Sequence, residues 1–387
     1  MEPMHLPPLY PITDARSSLS LAAQVRRLGE AGFPLVQFRG KPLDPAAQWR
    51  ELLAALREAE ASGGWPAICV NDRSDLALLA AREGLAPWGV HLGQTDLSAS
   101  DARALPGLGD AHLGGSTHCA EEWDALDPAC DHAGVGPFRA TATKPGHAEP
   151  VGLEGLREGC RALRARGVAP VAIGGLTLED ARTCFEAGAE ALAMVSEVAR
   201  APVPADLLWR AQAERWRARG PLTRSRGVVL LGGSGCGKSE LAGHLARLLE
   251  LPVRDVDQRV EADAGMSIAR IFAGRGERGF RALEAQSVRA CLDSPAVVAL
   301  GAGAWEDPGT REAVGASGFE ALWLAEVPER AWARVGGDPS RPLAATRDAF
   351  LARWARRTVA WSQAPMVLPL GRPARLLAEL LVISPGC

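Results

Sequence analysis

A run of eight residues near the middle of the chain has the spacing of a phosphate-binding loop. Residues 232–239 have the sequence GGSGCGKS, which fits the pattern GxxxxGK[ST]. In such a loop, glycines allow backbone N–H groups to face phosphate oxygens, the lysine contacts the β- and γ-phosphates, and the following hydroxyl binds Mg²⁺. We therefore predict that Lys238 binds nucleotide phosphates and that Ser239 is a magnesium ligand. The rest of the loop would be formed by Gly232, Gly235, Cys236 and Gly237.

Polar residues in the first 200 positions form a second candidate site. They follow short apolar runs along the chain, and two of them, Asp72 and Asp96, are carboxylates that follow neighbouring runs. Carboxylates on neighbouring loops can hold Mg²⁺, which prefers oxygen ligands and keeps several waters. Arginine, lysine, hydroxyl and glycine N–H groups can hold a diphosphate and a phosphate. The set comprises Gln37, Arg39, Lys41, Asn71, Asp72, Asp96, Ser116, Thr141, Thr143, Lys144, Gly174, Gly175, Val195 and Ser196.

The use of lysine supports both candidate sites. The chain has 43 lysines and arginines, but its only lysines are Lys41, Lys144 and Lys238. A lysine ammonium is a compact point charge that the planar guanidinium of arginine does not imitate. Because all three lysines lie in phosphate-binding motifs, we expect each to be required there as a compact cation.

Two α/β folds must position these residues. Eight apolar runs alternate with amphipathic stretches in the first 200 residues, which predicts a (β/α)₈ TIM barrel with its active site at the carboxyl ends of the strands. In the second half, the apolar run GVVLL, the phosphate loop and the stretch ELAGHLARLLEL predict a strand, a loop and a helix. The sequence ARGPLTRSRG between them predicts a linker. The predicted domains are a barrel over 1–217, a linker over 218–226 and a P-loop domain over 227–387.

Seven ordered motifs over residues 6–200 resemble thiamine-phosphate synthase. They are YPITD, QFRGK, VNDRSDLAL, GVHLGQTD, GGSTH, GVGPFRATATKPG and IGGLT with EAGAEALAMVS. The resemblance implies a TIM barrel that uses Mg²⁺ to join a hydroxymethylpyrimidine diphosphate to a thiazole phosphate, with release of pyrophosphate. It also implies that the diphosphate leaves to give a pyrimidine methyl cation, which the thiazole nitrogen captures.

The resemblance implies a role for each polar residue of this half. Asp72 and Asp96 would bind Mg²⁺, and Lys144 would contact the leaving pyrophosphate in a catalytic role. Ser116 would lie near the pyrimidine. The pyrimidine diphosphate would be held by Gln37, Arg39, Lys41 and Asn71. The thiazole phosphate would be held by Thr141, Thr143, Gly175, Val195 and Ser196.

Two sites depart from the pattern of this family. Gly40 stands where the family usually has glutamate, and the tract FRA at 138–140 replaces a more apolar one. We expect these departures to weaken affinity without removing activity. The alternative within the fold is a thiazole tautomerase, which lacks the paired carboxylates and the TxTK loop that this chain has. His91 and His118 are predicted to be structural, because the family places no general base at these positions.

The last 160 residues resemble shikimate kinase, a fold of the nucleoside-monophosphate-kinase type, over positions 227–382. The motifs include RDVDQR, SIARIF, GERGFRALE, GAGAW, SRPLAA and RWARRTVAW. The resemblance implies phosphorylation of shikimate by ATP, with Asp255 organising Mg²⁺ and Asp257 accepting the proton of the attacking hydroxyl. The substrate would be bound by Arg281, Gly301, Gly303 and Arg357, with the two arginines on its carboxylate. The nucleotide would be contacted by Lys238, by Arg334 on the adenine and by Arg341 from a lid.

This half also departs from its family. Ala302 replaces the middle residue of a Gly-Gly-Gly run, so its methyl group could crowd the substrate or require an unfavourable φ, and Trp361 stands where tyrosine is usual. The alternatives are a kinase for another small hydroxy acid, a kinase for a thiamine precursor, and a nucleotide-sensing module that regulates the barrel. Arg281 and Arg357 favour a substrate that carries a carboxylate.

The composition excludes several other classes of protein. A net charge of -3 gives no overall basic surface for nucleic acid, and no apolar run approaches the roughly 20 residues that span a bilayer. The first residues lack the pattern of a signal peptide, and the eight cysteines are scattered without a CxxC pair, which is typical of reduced thiols. We predict a cytoplasmic transferase with small-molecule substrates and no nucleic-acid or membrane partner. The sequence makes no prediction of the oligomeric state.

Overall fold

The computed structural model of the chain describes residues 5–140, 149–337, 346–369 and 372–382. The chain forms two compact units, Met1–Arg219 and Gly220–Cys387. The division between them falls within the predicted linker segment, residues 218–226. Within the described ranges, no helix combines the length and the apolar character needed to cross a membrane.

The first unit alternates strands with helices. Its strands are β1 (Leu9–Pro11), β2 (Leu35–Phe38), β3 (Ala67–Asn71), β4 (Gly89–Leu92), β5 (His112–Thr117), β6 (His132–Val135), β7 (Ala169–Ile173) and β8 (Ala191–Met194). Its helices are α1 (Leu21–Glu30), α2 (Pro45–Ala61), α3 (Ser74–Arg82), α4 (Ala99–Ala104), α5 (Ala120–Ala125), α6 (Gly152–Ala165), α7 (Ala181–Glu186), α8 (Ser196–Arg200) and α9 (Pro204–Arg219). A short 3₁₀ turn, Leu178–Asp180, precedes α7.

The eight strands form one parallel sheet that curls into a barrel. The strand order is β1-β8-β7-β6-β5-β4-β3-β2, with Leu9 opposite Leu192 where β1 meets β8. The two edge strands, β1 and β2, meet through a single parallel bridge between Ile12 and Gln37. The prediction of a (β/α)₈ barrel is confirmed, and its closure depends on this short contact instead of a full ladder.

Local signals in the sequence explain where several barrel helices begin. The side chain of Ser20 accepts a hydrogen bond from the N–H of Ala23 at the start of α1, and Asp44 accepts one from Ala47 at the start of α2. These are N-caps, and Pro45 occupies the first turn of α2, where its missing N–H costs nothing. The helices then pack their apolar faces on the strands, which fixes the strand ends that carry the predicted site.

The second unit is a five-stranded parallel sheet with helices. Its strands are β9 (Val228–Leu231), β10 (Val253–Asp255), β11 (Val297–Ala299), β12 (Glu320–Ala325) and β13 (Met366–Pro369). Its helices are α10 (Lys238–Leu249), α11 (Val256–Ala264), α12 (Ile268–Cys291), α13 (Pro308–Ser317), α14 (Pro328–Val335), α15 (Arg347–Trp361) and α16 (Ala374–Val382). Gly276 interrupts α12 with a φ of 65° and a ψ of -178°.

The central strand of this sheet leads directly into the predicted phosphate loop. The strand order is β10-β11-β9-β12-β13, and every residue of β9 is buried. A strand that is buried on both faces has a continuous apolar sequence, as Val228–Leu231 does. In open parallel sheets, ligands bind beyond the carboxyl ends of the strands where the order reverses. The order here places the loop after β9 at such a position, and the predicted P-loop fold is confirmed.

Candidate active sites

A cavity of about 530 Å³ lies at the carboxyl ends of the barrel strands. Its lining includes residues at or just beyond the ends of all eight strands, from Ile12 after β1 to Val195 after β8. Eleven of the predicted site residues line it together: Gln37, Arg39, Lys41, Asn71, Asp72, Asp96, Ser116, Gly174, Gly175, Val195 and Ser196. The remaining predicted residues of this half, Thr141, Thr143 and Lys144, lie outside the described residues.

The two predicted metal carboxylates face the same small space beside Gly93. A Cβ atom placed on Gly93 would lie 3.0 Å from Asp96 Oδ2 and 3.9 Å from Asp72 Oδ1. The N–H of Gly93 donates to Asp96 Oδ2 at 2.7 Å, and Lys41 Nζ lies 2.5 Å from Asp72 Oδ2. Burial raises the pKa of Asp96 above its ordinary value, and the Asp72 carboxylate raises it further, whereas Gly93 and Lys41 lower it. Two carboxylates held close to each other fit a divalent cation.

The donor set suits magnesium better than a metal that needs a full protein cage. Within the described ranges, no cluster of three or more His, Cys, Asp or Glu side chains could hold a metal ion. Asp72 and Asp96 supply oxygen, and the cavity beside them leaves room for water and for oxygens of a bound diphosphate. Mg²⁺ is commonly held by one or two carboxylates together with water and phosphate oxygens.

Asp72 has a backbone conformation that sequence reasoning did not anticipate. Its φ is +62°, in the left-handed region that non-glycine residues rarely adopt. Its N–H donates to the carbonyl of His91 in β4 at 2.7 Å, which holds the strained residue in place. Strain of this kind costs on the order of 1–3 kcal/mol and clusters at functional sites. The only sequence signal is that aspartate tolerates this region better than most residues.

Thr13 is a second feature that the sequence did not single out. It is 1% exposed, and its Oγ1 accepts a hydrogen bond from the N–H of Arg39 at 2.8 Å and donates to the carbonyl of Arg39 at 3.2 Å. Its own N–H donates to the carbonyl of Gln37 at 3.0 Å. Thr13 therefore fixes the backbone of two predicted diphosphate-binding residues where the barrel closes.

Ser116 is held at the centre of the cavity by its neighbours. His91 Nε2 lies 3.0 Å from Ser116 Oγ, and the amide of Gln94 donates to the carbonyl of Ser116. His118, which also lines the cavity, has its Nδ1 2.9 Å from Glu122 Oε2. Each histidine therefore contacts a neighbouring polar side chain, and a structural role for the two rings remains a prediction.

The end of the cavity beyond β7 and β8 contains a tight glycine turn. Gly174 and Gly175 have φ values of 93° and 66°. A Cβ on Gly175 would lie 3.0 Å from the carbonyl oxygen of Ala140 and 3.0 Å from Arg139 Cβ. Arg139, in the FRA tract, donates to both carboxylate oxygens of Asp180, with Nη1 2.7 Å from Oδ2. This arginine thus joins the segment after β6 to the 3₁₀ turn after β7, which gives the departure from the family pattern a structural role.

The presence of glycine at position 40 also has a structural explanation. A Cβ on Gly40 would lie 2.7 Å from Gln48 Cγ and 3.1 Å from Gln48 Oε1. Gln48 is buried in α2 and donates to the carbonyl of Leu43 at 2.7 Å. The space that a side chain at position 40 would enter is therefore already occupied by Gln48.

The P-loop of the second unit has the conformation that its sequence predicts. Gly232, Gly235 and Gly237 have φ values of 139°, 83° and 88°. A Cβ on Gly235 would lie 2.5 Å from the carbonyl oxygen of Ala331, so this position has no room for a side chain. Lys238 Nζ donates to the carbonyls of Gly232 and Gly233 at 2.8 and 3.0 Å. The lysine lies folded over the loop, where a nucleotide phosphate would replace these carbonyls.

Six of the predicted nucleotide and metal residues, together with the predicted base Asp257, line one cavity of about 560 Å³ beside this loop. They are Gly235, Gly237, Lys238, Ser239, Asp255, Asp257 and Arg334. Gly232 and Cys236 are buried instead of lining the cavity, and Arg341 lies outside the described residues. Ser239 and Asp255 together offer a hydroxyl and a carboxylate, which fits a magnesium ion that is otherwise bound by water and phosphate. Asp255 Oδ1 also caps α11 by accepting from the N–H of Asp257 at 2.9 Å.

Arg334 is anchored to the loop. Its Nη1 donates to the carbonyl of Gly235 at 2.8 Å and to Glu326 Oε2 at 2.7 Å. Glu326 is 2% exposed, so the pair holds the arginine against the P-loop. Packing of Arg334 on an adenine remains a prediction, and the guanidinium is in position beside the nucleotide cavity.

A smaller cavity of about 130 Å³ adjoins the nucleotide cavity of the second unit and contains the predicted substrate residues. Asp257, Arg281, Gly303 and Arg357 line it, while Gly301 lies beside it. Arg281 Nη1 is 2.5 Å from Glu284 Oε2, and Arg357 Nε donates to Glu306 Oε1 at 2.8 Å. Burial lowers the pKa of Arg357, an effect that Glu306 opposes and Arg281 reinforces. Two arginines that repel each other in a small cavity suit an anionic substrate group.

The glycines on either side of Ala302 lie close to the charged ends of these side chains. A Cβ on Gly301 would lie 2.3 Å from Glu284 Oε1 and 2.8 Å from Asp257 Oδ1, and one on Gly303 would lie 2.4 Å from Arg281 Nη2. Ala302 lines both cavities, and the non-glycine residues with positive φ in the described ranges are Asp72 and Glu250. Ala302 therefore has an ordinary φ, and the expected backbone conflict does not arise.

Fold and sites together define a two-domain transferase, in which a TIM barrel with phosphate-binding residues precedes a P-loop domain of the kinase type. A family model described as thiamine monophosphate synthase matches residues 9–198, and a model described as shikimate kinase matches residues 234–367. The chain belongs to the thiamine-phosphate synthase family through its first half, and its second half matches the shikimate kinase family model.

Two curated relatives match the first half of the chain. The thiamine-phosphate synthase of Chloroflexus aurantiacus is 40% identical over 199 residues, which cover 50% of this chain and 85% of that protein. The one from Azoarcus sp. strain BH72 is 40% identical over 211 residues, 53% of this chain and 94% of that protein. Among solved structures, thiamine phosphate pyrophosphorylase from Pyrococcus furiosus is 24% identical and covers 55% of this chain and 98% of its own, with a TM-score of 0.46. Shikimate kinase from Acinetobacter baumannii in complex with shikimate is 28% identical and covers 40% of this chain and 89% of its own, with a TM-score of 0.37.

Proposed function

We propose that the barrel joins a hydroxymethylpyrimidine diphosphate to a thiazole phosphate and that the second domain phosphorylates shikimate with ATP, each reaction using Mg²⁺. The observation that carries the first part is the meeting of eleven predicted site residues in one cavity. Both reactions use phosphorylated small molecules, and we place the enzyme in the cytoplasm, where such metabolites are kept.

In the barrel, the chain's residues stabilise the charge that develops when the diphosphate leaves. Arg39 and Lys41 bind the diphosphate oxygens, and Asp72 and Asp96 hold Mg²⁺, which when bound neutralises the leaving group. The electron pair of the carbon–oxygen bond stays with the diphosphate, and the thiazole nitrogen donates its pair to the pyrimidine methylene carbon. No proton is removed in this exchange, so the reaction needs no general base and is compatible with the structural role predicted for His91 and His118.

The carboxylate pair also favours the synthase over the thiazole tautomerase alternative. A tautomerase moves a proton within one phosphorylated substrate and has no diphosphate to neutralise, so it gives Asp72 and Asp96 no role. Thiamine phosphate formation from the two substrates tests this point, because a tautomerase leaves the pyrimidine diphosphate unchanged under the same conditions.

In the second domain, Asp257 accepts the proton of the attacking hydroxyl while Arg281 and Arg357 hold the substrate carboxylate. Lys238 contacts the β- and γ-phosphates and Ser239 and Asp255 hold Mg²⁺, which stabilises charge on the transferring phosphoryl group. Asp257 lines both the nucleotide cavity and the smaller cavity, so it stands between the two substrates.

A panel of acceptors tests the kinase half in the full chain. ATP consumption is measured with shikimate, hydroxymethylpyrimidine phosphate and hydroxyethylthiazole, and we expect turnover with shikimate because only this acceptor carries a carboxylate. Turnover with a thiazole or pyrimidine acceptor instead supports the precursor-kinase alternative. If neither the native chain nor Ala302→Gly consumes ATP with any acceptor while both bind it, the domain is a nucleotide-sensing module.

A further inference from the structure

The phosphate of the thiazole substrate has only uncharged partners among the predicted donors. The described ones are Gly175, Val195 and Ser196, which offer backbone N–H groups and one hydroxyl. Hydrogen bonds from a charged donor to a phosphate are roughly twice as strong as those from a neutral donor. Backbone N–H groups after the last strands of a TIM barrel can bind phosphate by themselves, but a cation beside them would strengthen the preference for the phosphate over the unphosphorylated alcohol.

Three cationic side chains among the described residues line the barrel cavity: Arg39, Lys41 and Arg200. Lys41 is 2.5 Å from the Asp72 carboxylate, on the side where the metal and diphosphate are proposed to bind. Arg39 and Lys41 both follow strand β2. Arg200 instead ends α8, the short helix that begins at Ser196. Residues four apart on a helix lie on the same side, so Arg200 and Ser196 face the same part of the cavity.

Arg200 also differs from the arginines of neighbouring helices in its contacts. Arg164 pairs with Glu190 and Arg182 pairs with Glu214. The side chain of Arg200 is exposed, and no hydrogen bond or ion pair joins it to another residue in the described part of the chain. The position of its backbone is nevertheless fixed, because Arg27 Nη2 donates to the carbonyl of the next residue, Ala201, at 2.5 Å.

We propose that Arg200 binds the phosphate of the thiazole substrate and sets the preference of the barrel for a phosphorylated thiazole over the free alcohol. The proposal rests on the proposed synthase function of the same cavity. The guanidinium supplies two N–H donors to phosphate oxygens and a positive charge that the free alcohol cannot use. Glu197 lines the cavity from the same helix, so its carboxylate opposes the phosphate and makes the choice of cation more important.

The test compares Arg200→Ala, Arg200→Lys and a matched control, Arg210→Ala, in the full chain. Arg210 is an exposed arginine of α9 that does not line the cavity. We expect Arg200→Ala to raise the KM for hydroxyethylthiazole phosphate by about 10- to 100-fold, with the KM for the pyrimidine diphosphate unchanged. Arg200→Lys should recover part of the loss, and Arg210→Ala should behave as the native chain does. An unchanged KM for the thiazole phosphate in Arg200→Ala overturns the proposal.

A second variant separates phosphate binding from a merely structural pairing of Arg200 with Glu197. If Arg200 binds phosphate, Glu197→Gln removes a repelling charge and lowers the KM for the thiazole phosphate. If Arg200 serves only to pair with Glu197, the same change raises that KM or leaves it unchanged, which contradicts the proposal.

Calorimetric titration of hydroxyethylthiazole phosphate into each variant measures its binding directly, so the role of Arg200 can be tested independently of thiamine phosphate formation. A native chain that forms no thiamine phosphate contradicts the proposed synthase function. Weaker binding to Arg200→Ala than to the native chain still supports the phosphate site in that case, and equal binding overturns it.

Discussion

Asp72 meets two structural requirements: its carboxylate lies near that of Asp96, and its left-handed backbone conformation turns the chain after β3. The first demand was predictable from the sequence, because two aspartates follow neighbouring strands. The second was not, because no pattern in the sequence indicates a positive φ at a non-glycine residue. The same holds for Thr13, whose contacts with Gln37 and Arg39 appear only when β1 and β2 meet in space.

Asp96→Asn is expected to reduce thiamine phosphate formation by at least about 100-fold, because a neutral amide is a much poorer ligand for Mg²⁺ than a carboxylate. The measurement is turnover over a range of Mg²⁺ concentrations, with the melting temperature as a check on folding. Asp110→Asn, an exposed aspartate outside the cavity, is the matched control. A variant at Asp96 that keeps most of its turnover at limiting Mg²⁺ would show that the metal assignment is wrong.

Glu306→Gln is expected to raise the KM for shikimate by about tenfold with little change in kcat, because Glu306 orients Arg357 through its Nε. The loss of a hydrogen bond to a charged group is worth about 1.5–3 kcal/mol, part of which the amide retains. Initial rates at saturating ATP measure the effect, and Glu312→Gln on the exposed face of α13 is the control. An unchanged KM for shikimate would remove Glu306 from the account of the substrate site.

At the scale of elements, sequence patterns predicted the alternation of strands and helices and the P-loop, because buried parallel strands form continuous apolar runs. They did not predict how loops pack on one another. The Arg139–Asp180 pair joins loops after β6 and β7, and Gly40 is required by Gln48 of α2. Arg139 and Asp180 lie 41 residues apart, and Gly40 meets Gln48 only where the chain turns into α2, so local sequence patterns alone could not explain either departure from the family pattern.

Glu190 lies just before β8 and stabilises the barrel through a buried ion pair with Arg215 of α9 and a second pair with the half-exposed Arg164 of α6. Burial alone would raise its pKa, but Arg215, His5 and Arg164 outweigh burial and lower the pKa to about 2. We expect Glu190→Gln to destabilise the barrel by about 3–5 kcal/mol at neutral pH, because it leaves Arg215 buried without a countercharge.

The pH dependence of this effect follows from the depressed pKa. The stability contributed by Glu190 is present above its unfolded pKa of about 4.3 and is lost as the pH falls towards about 2. Thermal unfolding of the barrel at several pH values should therefore show the gap between the native chain and Glu190→Gln narrowing below about pH 4. A gap that stays constant down to pH 3 would contradict the assigned ion pair.

At the scale of the whole molecule, one chain contains two sets of phosphate-binding residues in two separate compact units. The two proposed reactions share no intermediate, so each site should work when the other is disabled. Sequence was sufficient for this division because each half carries its own ordered motifs, and it was insufficient for Arg200, which belongs to no motif and becomes notable only through the cavity that it lines.

The most direct test of the central claim is a ³¹P NMR time course on the full chain with ATP, shikimate, Mg²⁺ and the two thiamine precursors in one sample. We predict the signals of thiamine phosphate and pyrophosphate together with those of ADP and phosphorylated shikimate. Asp96→Asn should remove the first pair alone, and Asp257→Asn the second pair alone. The account of two independent active sites is contradicted if one or both pairs of signals are missing from the native chain. It is also contradicted if one substitution removes both pairs while the fold is retained.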